Sequence, residues 1–172
     1  PPLAGDLSAA AAAPFQQAGW WLEHNAVRVL AQEQGQTRLA LYSPACEPPG
    51  PLARQRFEGG IELAYAPPPA RVAQGDIVEL ALAWRAAALV PEGMTAFVQL
   101  LSPEGVLVAQ SDGDPLNGLA ALAALTPAQP LQDCRALLVP RDASPGTYTL
   151  IAGPYNRETG ARLATGEGAD HV

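Results

Sequence analysis

The residues best able to do chemistry in this chain are few, and none sits in a reactive motif. Asp112, Asp114 and Asn117 lie close together in SDGDPLNG, and hard oxygen ligands from one loop are what calcium takes. The stretch lacks the distal bidentate Glu of an EF-hand, and Asp-Gly and Asp-Pro are ordinary turn chemistry, so a structural turn is the stronger reading and no cofactor is expected. Paired carboxylates for glycoside cleavage would come from Asp112, Asp114, Asp133 and Asp142, and nothing in their spacing selects two of them. Nucleophilic catalysis needs Ser or Cys beside an oriented base. The two histidines, His24 beside a tryptophan pair and His171 next to the last residue, have no motif around them, and GxSxG, HExxH and P-loop patterns are absent. The sequence therefore reads as a non-catalytic chain.

Aromatic residues offer a different chemistry. Trp20, Trp21 and Tyr155 could stack on sugar rings or on a partner, and adjacent Trp20 and Trp21 point to opposite faces of any strand, which leaves one of them outward. Trp84 ends an alternating apolar run and reads as core. Cys46 and Cys134 lack CxxC spacing, so metal or redox work is not indicated, and whether they bridge stays open.

The elements that must position these residues are extended. The chain of 172 residues carries 18 prolines and 16 glycines, which disfavours long helices and favours short strands joined by turns. Charged residues make up 16%, the net charge is −7 and all ten basic residues are arginine, a balance unsuited to nucleic acid. Residues 1 to 18 read as a linker or amino-terminal arm without a visible signal peptide. Residues 19 to 56 read as a hairpin around Gln34-Gly35-Gln36 followed by a Pro-rich loop over 43 to 56 that holds no ladder. Residues 57 to 172 read as the main domain. In IVELALAWR, Val78, Leu80, Leu82 and Trp84 share one face, while Glu79, Ala81 and Arg85 share the other. Ser102-Pro103-Glu104-Gly105 predicts a tight hairpin turn. LAALAAL, in the long loop after Gln110, predicts a short helix. A last hairpin is expected from TYTLIAGPYN through Gly160 to ARLATG. The uncharged run Pro115 to Gln132 is too broken by Pro, Gly and Asn to span a bilayer.

These eight or nine expected strands predict an all-β fold, an antiparallel immunoglobulin/fibronectin-like β-sandwich with an amino-terminal β-hairpin extension. In DASPGTYTL, Tyr148 is placed either as the tyrosine corner of such a sandwich or as a plain strand tyrosine. Read in order, FEGGIELAYA, VAQGDIVELALAWRA, TAFVQLLSPEGVLVAQSDGDP and DCRALLVPRDASPGTYTLIAGPYNRETGARL resemble a β-sandwich module. That module forms the carboxy-terminal, extracytoplasmic part of multi-pass bacterial membrane glycosyltransferases of the dolichyl-phosphate-mannose type and occurs in related envelope proteins. The resemblance covers about residues 57 to 165. It implies an extracytoplasmic setting, in the envelope or secreted, with any membrane tether in a region outside this chain. It implies a structural or assembly role, docking to an envelope or membrane partner or to further copies of the chain, and no catalytic residue carries over. A carbohydrate-binding module is the alternative expectation.

Overall fold

A computed structural model describes residues 22, 26–35, 37–44, 51–127 and 130–172. The protein is mostly β and antiparallel. Its strands are β1 (Ala26–Gln34), β2 (Thr37–Pro44), β3 (Ala53–Arg56), β4 (Ile61–Tyr65), β5 (Ile77–Ala86), β6 (Met94–Leu101), β7 (Leu107–Gln110), β8 (Leu131–Leu138) and β9 (Thr149–Asn156). They form a two-stranded sheet β1-β2, a four-stranded sheet β3-β4-β5-β8 and a three-stranded sheet β7-β6-β9.

The two larger sheets enclose one core because period-2 alternation gives each an apolar face. Register sets Leu63 opposite Trp84 and Val78 opposite Leu137, so Ile61, Leu63, Val78, Leu80, Leu82, Trp84 and Leu137 point one way. They join Met94, Ala96, Val98, Leu100 and Ala152 of the smaller sheet in a single buried cluster. The expected faces of β5 hold, with Trp84 wholly buried. The outer face of the larger sheet is nevertheless not solvated throughout: Ala81, Ala83 and Ala136 are buried, and β1 lies against β8. The Ser102–Gly105 turn forms with Gly105 N donating to Ser102 O at 2.9 Å and φ of +78° at Gly105.

Three expectations are corrected. The Pro-rich 43–56 stretch is not loop throughout, since β2 runs to Pro44 and β3 pairs with β4. The prolines stop at Pro51, and Arg54 and Arg56, two residues apart, both reach Glu62, at 3.0 and 3.2 Å. The long loop carries no true helix over LAALAAL, only a 3-10 turn at Leu122–Ala124 that drops Leu122 and Leu125 into the core. The second arm of the last hairpin is not a ladder strand. Residues after Gly160 follow β9 as coil, touching it through Asn156 N to Ala161 O, the single bridge between Tyr155 and Arg162, Leu163 N to Pro154 O and the reciprocal Ala152–Val172 pair, and Thr165 bridges to Phe57. Gly166 and Gly168 interrupt that arm, the latter with φ of +85°. No helix among the described residues is long and apolar enough to cross a membrane.

Candidate functional site

At one end of the two sheets, three segments far apart in sequence wall a cleft of about 590 Å³. One wall is the loop after β4, where Pro68 and Pro69 cannot continue a ladder because they lack the N–H. A second is the stretch from Val139 to Leu150, and the floor is made by Val78 and Leu100, where the sheets diverge. The walls are tied to each other: Gln74 Nε2 donates to Ala143 O at 2.5 Å, and Tyr148 Oη donates to Ser144 O at 2.8 Å. Gly146 lies so close to the β6–β7 turn that a Cβ there would sit 2.7 Å from Pro103. The lining is largely apolar, with Arg71 as its cation, and Arg71 makes no ion pair among the described residues. A cleft of this volume with a few polar groups over an apolar floor is how small-ligand and partner sites are commonly built. A smaller space of about 60 Å³ adjoins it, sharing Pro68 and Leu150 and reaching Ala152 and Val172.

The acids that the sequence offers for chemistry are engaged in holding backbone and side chains. Asp112 accepts from Val98 N at 3.3 Å and from Gln99 Nε2 at 2.9 Å, and Asp114 pairs with Arg157. Both carboxylates thus have partners within the protein, and no metal-holding cluster of three or more such side chains occurs among the described residues. Asp142 is exposed.

Asp133 has the most constrained position. Because β8 faces inward at Leu131, Asp133, Arg135 and Leu137, a carboxylate and a guanidinium enter the space between the sheets, 0% and 4% exposed. Asp133 accepts from Arg135 Nε at 2.8 Å, Trp84 Nε1 at 3.1 Å and Leu116 N at 2.9 Å. Arg135 in turn donates to Ser111 O at 3.0 Å and Gly113 O at 2.9 Å. The pair thus fastens the loop after β7 to the opposite sheet. It also holds Leu116 and Asn117 at φ of +54° and +57°, a region that costs a Leu about 1–2 kcal/mol. The period-2 spacing of Asp133 and Arg135 within an apolar strand was the signal for this network, and it identifies structure rather than chemistry.

Tyr155 lies on the outer face of the smaller sheet. Register places it opposite Thr95, whose hydroxyl is buried without a hydrogen-bond partner, and its ring meets Phe97 edge-on at 6.2 Å. Arg162 stacks over Phe97 at 4.1 Å and donates to Gln99 Oε1 at 2.8 Å. Burial, then the negative charge of Asp112, pushes the Tyr155 hydroxyl above its ordinary value. A raised value in the folded chain means that stability from the neutral phenol is fully present below the unfolded value and is lost as pH rises through the folded one. An absorbance titration should show one tyrosine ionising late, and Tyr155→Phe should remove that component. Asp170 is held below the usual carboxyl range by its hydrogen bond to His171, with Arg162 adding to the effect.

Of the other expected residues, Trp20, Trp21, His24 and Cys46 lie outside the described residues. Cys134 shares the outward face of Ala81 and is disulfide-bonded. The cleft as such was not legible in sequence, although Tyr148 was singled out for another role, because Pro68, Arg71, Leu100 and Tyr148 meet only in the folded chain. No protein-family model matches the chain, and no curated protein matches it.

Proposed function

We propose that this chain is a non-catalytic module of the immunoglobulin/fibronectin-like β-sandwich kind. It works outside the cytoplasm at a cell envelope and docks with the cleft bordered by Pro68, Pro69 and Pro145. The observation that carries the reading is the apolar cleft with Arg71 at its lining, a cation that makes no ion pair among the described residues. Tyr148 supports the sandwich type, since its hydroxyl reaches backbone four residues upstream as a tyrosine corner does. The engaged carboxylates of Asp112, Asp114 and Asp133 support a passive role. Strand addition is the weaker means of docking. The β3 edge is four residues long and carries Arg54 and Arg56, and the free side of β9 is followed by the carboxy-terminal coil.

Photo-cross-linking in the native host tests this. A benzophenone side chain at Val72, in the cleft, is expected to give a discrete adduct with one envelope component, while the same group at Leu89, 94% exposed and outside the cleft, gives none. Equal labelling from both sites, or none from Val72, contradicts the reading. The glycan alternative keeps one specific support, the half-buried Tyr155 ring with Asp112, Asp114 and Arg157 around it. Saturation-transfer NMR with a sugar panel should then show contacts that Tyr155→Ala abolishes, and sugar binding unaffected by that change removes this alternative.

A further inference from the structure

The content of the cleft can be narrowed by what its walls offer. A peptide entering it would bury an N–H and a C=O with every residue, and each needs a partner. Part of the wall offers few donors to such a backbone: Pro68, Pro69 and Pro145 have no N–H, one of the two Gln74 amide hydrogens is committed to Ala143 O, and the Tyr148 hydroxyl hydrogen is committed to Ser144 O. What the cleft does offer is apolar surface from Val78, Leu100, Val139 and Leu150, and one cation. A second, smaller apolar space of about 60 Å³ shares Pro68 and Leu150 with the cleft and is lined further by Ala152 and Val172. A small apolar space beside the cleft suits the end of an unbranched chain better than a branched side chain with its backbone.

We propose that the cleft binds a single unbranched acyl chain with an anionic head group. Arg71 meets the head, and the tail runs over Leu100 and Leu150 toward the smaller space lined by Val172. The guanidinium of Arg71, which makes no ion pair among the described residues, supplies the complementarity for an anion. The inference rests on the reading of this cleft as the docking surface, and it names what that surface takes.

Calorimetric titration of the whole chain with a saturated fatty-acid series, octanoate to dodecanoate, together with dodecanol and an acetylated apolar hexapeptide ending in Glu, tests it. Each added methylene is expected to tighten fatty-acid binding about threefold to fourfold, the burial of one CH₂. Arg71→Ala should weaken dodecanoate roughly tenfold or more and leave dodecanol unchanged, as loss of a charge-assisted contact requires. Val72→Asp, a change at a half-exposed position that leaves the core intact, should likewise repel dodecanoate but not dodecanol. Dodecanoate binding that ignores both changes, or that shows no dependence on chain length, overturns the proposal. Tighter binding of the hexapeptide, with displacement of dodecanoate, overturns the acyl class while leaving the cleft as the docking surface. Absence of binding by every probe, with the Val72 cross-link intact, likewise overturns only the acyl chain; absence of both overturns the docking reading too.

Discussion

Asp133→Asn is expected to destabilise the protein by about 3–5 kcal/mol, the cost of removing one member of a buried charge pair and leaving the other uncompensated. For a chain of this size that corresponds to a fall of roughly 10 °C in melting temperature. An Asn can still accept from Leu116 N through its one carbonyl oxygen. Its amide cannot accept from both Trp84 Nε1 and Arg135 Nε, which now share Asp133 Oδ2. Arg135→Met should cost a comparable amount, because it leaves the buried Asp133 without its countercharge and takes a donor from Ser111 O and Gly113 O. The double replacement Asp133→Leu with Arg135→Met should cost clearly less than the sum of the single changes, since no unpaired charge remains between the sheets. Calorimetric melting of the four proteins checks this, and strict additivity would mean that the pair is solvated. Hydrogen exchange should further show residues 111–118 opening first in Asp133→Asn, because the strained turn at Leu116 and Asn117 then loses its anchor.

The second large effect is expected at Phe97, which is 1% exposed although it faces away from the main core. Phe97→Ala should cost about 3–5 kcal/mol, as truncation of a buried aromatic does. Its ring is held from several sides: Arg162 stacks on it, Tyr155 meets it edge-on, and Gly153 is its neighbour across the ladder. A Cβ at Gly153 would come within 3.0 Å of the ring and 3.2 Å of Asp170 O, so the carboxy-terminal coil is packed down onto this face. Loss of the ring should therefore raise exchange over residues 162–172 as well as lower the melting temperature. A stability loss without increased exchange there would show that the coil is held by its backbone bonds to β9 alone. Phe97→Leu, which keeps apolar volume and removes the stacking surface, should give a smaller loss of stability but a similar loosening of Arg162.

What could be read from the chain, and what could not, divides on physical grounds. The inward set of β5 was legible because alternation along IVELALAWR is strict and one register slip would turn every apolar side chain to the wrong face. The Ser102–Gly105 turn was legible because Pro and Gly are demanded by local backbone geometry alone. The strand around Asp133 was half legible: the run CRALLVP announces β8, while Asp133 itself was weighed as an acid for catalysis, since charged residues facing inward run against ordinary burial. Their partners, Ser111, Gly113, Leu116 and Trp84, come from other elements, so the compensation that makes the burial tolerable is invisible along the chain. The arm after Gly160 failed for the converse reason: ARLATG alternates as a strand does, but the docking of Arg162 over Phe97 and the glycines that follow give it single bridges in place of a ladder. The cleft is wholly a product of the fold, since its walls join residues from the loop after β4 to the segment after β8.

The most direct test of a docking role for the cleft is hydrogen exchange on the whole chain, with and without envelope membranes of its host. The expected result is new protection confined to amides of residues 70–76 and 143–150, with the β3 edge and the turn at Gly105 unchanged. Protection at those edges with the two cleft segments exchanging as before would contradict it.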